Sequence, residues 1–229
     1  MTGNGEKERA QKILERLKEN FTFPKWVSLK QDPFETLIIT IISQNTSDRN
    51  AEKAFQNLSK KFQIAPRILA EAEAVEIEKC LKVAGLYRNK AKTIKKVSKI
   101  IFEKFGGSLQ PILAMPFEDA RKTLLQLPGV GPKTADVLLL FSANQPTVPV
   151  DTHVNRVSKR LGLAPADGDY EEVRNSLQRL YKPDDYLAVH ILLILLGRKY
   201  CKALKPMCGQ CPVNMLCPFE KKPIYPTKL

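Results

Sequence analysis

The chain lacks any apolar run long enough to cross a bilayer. Its longest, near Leu37–Ile42 and Leu187–Leu196, fall well short of the roughly twenty residues a spanning helix needs. It also lacks a secretory signal: Met1 to Arg9 reads Met-Thr-Gly-Asn-Gly-Glu-Lys-Glu-Arg, with no hydrophobic core, so a cytoplasmic protein is expected. No alternating stretch of useful length suggests a sheet, and no internal repeat or low-complexity tract appears. Acidic residues are in deficit, 24 against 37 Lys plus Arg, which leaves a net charge of +13 and a pI near 9.5. Such an excess serves solubility or a polyanionic partner, and nucleic acid comes before a membrane surface. With 43% hydrophobic and 27% charged residues the composition is that of a globular protein of one or two domains, not a disordered chain.

What is present is helical periodicity almost throughout. Ala10, Ile13, Leu14 and Leu17 mark one apolar face; Ala51, Ala54, Phe55 and Leu58 mark a second; Ala91, Ile94, Val97 and Ile101 mark a third. Gly85, Gly106, Gly107, Pro111, Pro116, Pro146, Pro149 and Pro183 punctuate the helices. The segment Ile191–Leu196, apolar all round, predicts a core helix. The fold class is all-α. Opposite the third apolar face lie Lys92, Lys95, Lys96 and Lys99, preceded by Arg88 and Lys90. That face is either simply solvated or attracts phosphate.

The most informative stretch is Leu127-Pro128-Gly129-Val130-Gly131-Pro132-Lys133-Thr134-Ala135. A helical pattern over Phe117–Gln126 runs into it and another over Lys133–Ala143 leaves it. Gly129 and Gly131 are expected to take backbone angles closed to other residues, and Pro132 suits the first position of a helix. A tight hairpin between two helices follows, with amides and a helix N-terminus exposed, which suits a phosphate. A plain packing corner is the other reading. Lys133 falls in the first turn of the second helix, where the positive helix end favours a neutral amine; a phosphate-contacting lysine is the simpler reading. Asp151 has the position of an N-cap for a helix beginning near Thr152. His153 reads as structural.

Four of the five cysteines crowd together as Cys201-x6-Cys208-x2-Cys211-x5-Cys217. In a reducing compartment this is a four-thiolate metal site, zinc or iron–sulfur by spacing alone. Cys80, remote from them, reads as an ordinary buried thiol.

The hairpin motif, followed by Val148-Pro149-Val150-Asp151-Thr152-His153-Val154-Asn155-Arg156-Val157, resembles the helix-hairpin-helix-GPD superfamily of DNA glycosylases, and most of all its endonuclease III branch. Gly85-Leu86-Tyr87-Arg88-Asn89-Lys90-Ala91, the stretch from Phe34 to Asp48, and His190 through Arg198 extend the resemblance, which covers residues 10 to 217 in order. It implies two helical lobes with a DNA-binding cleft between them. Residues 1–34 would supply a helix to the cluster lobe, 35–145 a six-helix lobe with the hairpin at 117–143, and 146–229 the rest of the cluster lobe with its metal loop at 201–217.

The resemblance further implies a bifunctional DNA glycosylase and abasic-site lyase that removes oxidised or ring-saturated pyrimidines. Lys133 would be the nucleophile that forms a Schiff base, and Asp151 the essential aspartate. The four cysteines would hold a [4Fe-4S] cluster, with Lys202 and Lys205 meeting the DNA backbone beside it. Gly129, Val130 and Gly131 would hold a phosphate. Leu86 would fill the gap left by a flipped base, together with a side chain from Ser43 to Asp48. There the chain departs from the branch: the usual glutamine falls at Asn45, while a glutamine stands one place earlier at Gln44. The partner is damaged or abasic duplex DNA, bound by a monomer that is cytoplasmic and nucleoid-associated.

Three rivals remain. A non-catalytic DNA-binding protein with a structural metal would keep hairpin and cysteines but has no use for Lys133 and Asp151 together. An adenine-mismatch glycosylase lacks this lysine and carries a further C-terminal domain, whereas 12 residues follow Cys217 here. A thymine- or uracil-mismatch glycosylase differs by few pocket residues.

Overall fold

Asp32 accepts hydrogen bonds from the amides of Phe34 (2.8 Å) and Glu35 (3.0 Å), and Pro33 takes the first helical position behind it; together they start α2, Pro33–Ser43. The same devices recur along the chain. Ser47 caps α3 (Asp48–Lys61) and Asp169 closes a reciprocal capping box with Glu172 at α11 (Tyr170–Leu180). The computed structural model describes residues 3–24 and 32–219. Among these residues there are twelve α-helices, four short 3-10 turns and no strand, as the periodicity predicts. No helix among them is long and apolar enough to cross a membrane. The described residues form two compact units, 32–145 and 3–24 with 146–219. The boundary expected near residue 34 adjoins residues 25–31, which lie outside the described residues, as do 220–229.

The continuous unit contains α2 and α3, then α4 (Pro66–Glu71), α5 (Ala74–Leu81), α6 (Tyr87–Lys104), α7 (Gln110–Leu113), α8 (Phe117–Leu125) and α9 (Pro132–Ala143). All but α4 and α7 run eight residues or longer. Its core gathers Leu37, Ile38 and Ile41 from α2, Leu58 from α3, the stripe Ala91, Ile94, Val97 and Ile101 from α6, and Leu138 and Leu139 from α9. Each leucine, isoleucine or valine among them, withdrawn from water, contributes about 1.5–3 kcal/mol before ordering entropy is counted.

The second unit joins α1 (Gly3–Asn20) to α10 (Thr152–Arg160), α11, α12 (Tyr186–Lys199) and the cysteine-bearing segment. Ala10, Ile13, Leu14 and Leu17 turn the predicted face of α1 into its core, beside Val154, Val157, Leu177 and Leu192. Leu192, Leu193 and Leu196 are buried, so the apolar segment of α12 is the core helix it promised to be. Arg9 fastens α1 to the far end of the chain. Its guanidinium donates to the carbonyls of Leu161 (2.7 Å), Gly162 (2.8 Å) and Leu216 (3.1 Å).

Candidate functional site

In the continuous unit the site is built on the turn between α8 and α9. The chain leaves α8 through Leu127, whose amide bonds to Leu124, and closes a turn when the Val130 amide bonds to the Leu127 carbonyl at 3.1 Å. Gly129 has φ +78, and a Cβ there would collide with the Thr93 methyl of α6. Only glycine fits. Gly131 corrects the sequence expectation: its φ of −96 and ψ of 179 are ordinary extended backbone, and a Cβ would meet nothing within 4 Å. Its value is open space before the N-terminus of α9 rather than a forbidden angle. Among the described residues neither the Gly129 nor the Gly131 amide reaches a protein acceptor. Pro132 occupies the first helical position and Lys133 follows in the first turn, half-buried. Two amides without a protein acceptor among the described residues, a helix N-terminus and an amine thus follow one another along the turn, an arrangement suited to an anion.

Behind Lys133, α9 is buried on nearly all sides from Thr134 to Leu140. It nonetheless carries a carboxylate, Asp136, which has no exposed surface and is gripped by Arg121 of α8 through Nε at 2.9 Å and a terminal nitrogen at 3.4 Å. This ion pair fixes the two helices of the hairpin against each other. Sequence reasoning missed it. The available signal was an acidic residue standing inside an otherwise apolar helix, which needs a cationic partner to be buried.

Two more predicted residues lie on the same unit. Gln44, exposed at the end of α2, donates from Nε2 to the Gly129 carbonyl at 2.9 Å, so its amide is spent on the hairpin. Asn45 beside it is exposed with φ +54. Leu86 precedes α6 in the left-handed region, φ +46 and ψ 27, and keeps 58% of its surface exposed. A leucine held there costs about 1–3 kcal/mol, and an apolar side chain presented to water gains nothing for the fold.

The lysines of α6 do not form one solvated face. Arg88, Lys92, Lys96 and Lys99 are exposed, and Lys99 pairs loosely with Glu103 at 3.7 Å. Lys95 instead bonds to the Ala72 carbonyl, and Lys90 is 5% exposed with its ammonium on the Ala84 carbonyl at 2.9 Å. Burial pushes the Lys90 amine below its ordinary range. The signal was legible: Lys90 stands four, seven and eleven residues before Ile94, Val97 and Ile101, on the apolar stripe itself.

In the other unit Asp151 caps α10, its Oδ1 accepting from the Val154 amide at 2.7 Å. It opens onto a hollow lined also by Thr152, Asn155, Asp169 and Tyr170. Lys133 and Asp151 therefore belong to different units. His153 packs on Gly197 of α12, where a Cβ would stand 2.9 Å from its Nδ1, which fits the structural role expected. His190, on the same helix, is buried with Nδ1 2.8 Å from the Pro149 carbonyl.

Arg156 and Arg160, four residues apart on α10, frame the cysteine segment. Arg156 Nε donates to the Cys201 carbonyl at 3.0 Å. Arg160 donates to the carbonyls of Lys202 (2.7 Å) and Ala203 (3.1 Å) and lies 3.6 Å from the Cys201 sulfur. Neither was singled out in the sequence, although i,i+4 arginines share a helix face. Cys201, Cys208, Cys211 and Cys217 line one pocket together with Leu161, Leu196 and Met207. Burial, more than the neighbouring thiols, pushes the Cys211 thiol up to about 11. Among the described residues no three His, Cys, Asp or Glu side chains converge to hold one metal ion. Four thiols lining one pocket are a donor set suited to zinc or to an iron–sulfur group. Lys202 and Lys205 are exposed on the same segment. Cys80 is 8% exposed in the other unit, its thiol raised by burial, as an ordinary core cysteine should be.

Comparison with known proteins follows the same lines. Residues 38–183 match the HhH-GPD superfamily of base excision DNA repair proteins. The chain is 34% identical over 215 residues to endonuclease III of Thermotoga maritima, covering 94% of this chain and 93% of that one. It is 36% identical over 204 residues to endonuclease III of Bacillus subtilis, covering 89% of each. Its fold is similar to that of an endonuclease III trapped as a covalent intermediate with DNA, at a TM-score of 0.83 and 33% identity over 94% of this chain and 97% of that one.

Proposed function

Because the chain belongs to the endonuclease III family of the HhH-GPD superfamily, we propose that it is a bifunctional DNA glycosylase and abasic-site lyase acting on oxidised or ring-saturated pyrimidines in duplex DNA. The observation that carries this reading is Lys133, an amine in the first turn of α9 directly behind the open Gly129–Gly131 turn. A DNA phosphate seated on the turn brings the sugar of the damaged nucleotide to the amine. The neutral Lys133 Nζ attacks C1′, the C1′–N bond to the base breaks, and the sugar ring opens to an imine. Loss of a C2′ proton then expels the 3′ phosphate by β-elimination, and water returns the amine. Asp151 stabilises positive charge on the sugar as the base departs and takes part in the proton transfers, while its cap on α10 holds the carboxylate in place. The similar structure captured in covalent linkage to DNA supports an amine nucleophile over hydrolysis alone. A mismatch glycosylase and a non-catalytic binder are less well supported.

Extruding the base is assigned to Leu86 and Asn45. Gln44, tied to Gly129, holds the plug loop against the hairpin, which leaves Asn45 to face the unpaired base. The four cysteines would hold a [4Fe-4S] cluster, and their ring around one pocket fits it. When bound, such a cluster would cross-link the segment that presents Lys202 and Lys205 to phosphates. A DNA substrate favours an enzyme associated with the nucleoid in the cytoplasm, and we propose that it works as a monomer. The test is borohydride trapping on a duplex with a plain abasic site, followed by duplexes bearing thymine glycol, dihydrouracil, 8-oxoguanine and uracil opposite guanine. A covalent adduct and preference for the first two lesions are expected. A duplex bound tightly but never trapped would leave only a DNA-binding protein.

A further inference from the structure

Lys90 is a buried cation with a peculiar pair of tasks. Its ammonium, on a side chain 5% exposed, bonds to the carbonyl of Ala84 at 2.9 Å, and its backbone amide bonds to the carbonyl of Leu86 at 3.0 Å. One residue thus holds the chain just before Gly85, with its side chain, and at the Leu86 carbonyl, with the first helical hydrogen bond of α6. The dipeptide Gly85–Leu86 carries two consecutive positive φ angles, +66 and +46, and the second belongs to a leucine that is 58% exposed. The Gly85 amide bonds to the Lys82 carbonyl at 3.3 Å, but α6 begins on Leu86 without a side-chain cap, and Lys90 is the side chain that bonds to this stretch of backbone among the described residues. No carboxylate accompanies the ammonium among the described residues, so its burial is unfavourable for the fold taken alone. Strained backbone persists only where its surroundings over-determine it.

We infer that Lys90 is a positioning residue which holds Leu86 in its left-handed, outward conformation, so that the leucine enters the duplex already set. The inference rests on the reading of Leu86 as the wedge. The apolar side chain then need not be ordered as the base leaves, and extrusion gains from that pre-organisation. Lys90 touches neither base nor sugar.

Single-turnover rates on thymine glycol in a matched duplex and on a plain abasic duplex test this, with a fluorescent base analogue beside the lesion to report unstacking. Leu86→Ala should slow excision while abasic cleavage is largely spared. Lys90→Met keeps length and removes the donor; it should give the same selective loss, about tenfold or more, with delayed unstacking. Lys90→Gln keeps an N–H donor and should recover part of it, and it serves also if the Met variant folds poorly. Leu86→Ala with Lys90→Met should be no worse than Leu86→Ala alone. Equal loss on both substrates, or independent losses in the double variant, would overturn the inference while leaving the wedge intact. If Leu86→Ala itself shows no selectivity, the wedge reading falls and Lys90 with it.

Discussion

The two units reach function by different means. The continuous unit, 32–145, places its candidate residues with backbone geometry: positive φ at Asn45, Leu86 and Gly129, and an open approach at Gly131. The unit of 3–24 with 146–219 places its own with charge and capping: Asp151 on the α10 amides, Arg156 and Arg160 on carbonyls of the cysteine segment, thiols around one pocket. Geometry of the first kind fails by collision or by collapse to a commoner conformation. The second kind fails when a charge or a ligand is removed. The contrast teaches where each activity is fragile.

Its sharpest test sets the two proposed reacting groups against each other. Lys133→Gln should abolish borohydride trapping and strand cleavage altogether, since an amide forms no imine, while duplex binding survives. Asp151→Asn should lower base excision by about 10²–10⁴-fold and leave the melting temperature nearly unchanged, because asparagine caps a helix as well as aspartate does. Equal melting but undiminished excision would reduce Asp151 to a cap. Next in size, Cys208→Ser should bleach the visible thiolate-to-iron absorption and destabilise its own unit, whereas Cys80→Ser should leave the colour alone. Colourless wild-type protein with stoichiometric zinc and full activity would defeat the cluster.

The ion pair within the hairpin blurs the contrast, since it is charge serving the geometric unit. Arg121→Met takes the guanidinium away from the buried Asp136 carboxylate and should cost about 3–5 kcal/mol in denaturant melts. Arg121→Met with Asp136→Leu should restore most of that stability. Failure to recover would mean Asp136 holds more than its arginine. The smallest effect expected belongs to Lys205→Ala. It should weaken binding to damaged and undamaged duplexes alike and shallow the slope of log affinity against log salt by about 0.9. An unchanged slope would take Lys205 off the phosphates.

Much of this was legible in the residues. The apolar stripes of α1 and α6 are buried as spaced, that of α3 is buried at Ala51, Ala54 and Leu58 with Phe55 half-buried, and the cap at Asp151 and the start of α9 at Pro132 fall where local chemistry put them. What escaped depends on neighbours distant in sequence. Lys90 and Lys95 look like part of a solvated row until the carbonyls of Ala84 and Ala72 are in place. Gly131 looks as constrained as Gly129, yet only Gly129 has Thr93 against it. Gln44 and Asn45 differ by one position in sequence; the Gly129 carbonyl, 85 residues away, tells them apart.

The grip of Arg9 on Leu161, Gly162 and Leu216 has a consequence in time rather than in space. Its first acceptor is 152 residues downstream and its last 207, so during synthesis at about 5–20 residues per second the contacts of Arg9 are complete only after roughly ten to forty seconds. The unit of 32–145, with its own buried core, is synthesised in that interval. Until its partners emerge, α1 carries Ile13, Leu14 and Leu17, buried in the folded unit, without the core that covers them. Off-pathway association and chaperone capture should therefore concentrate there.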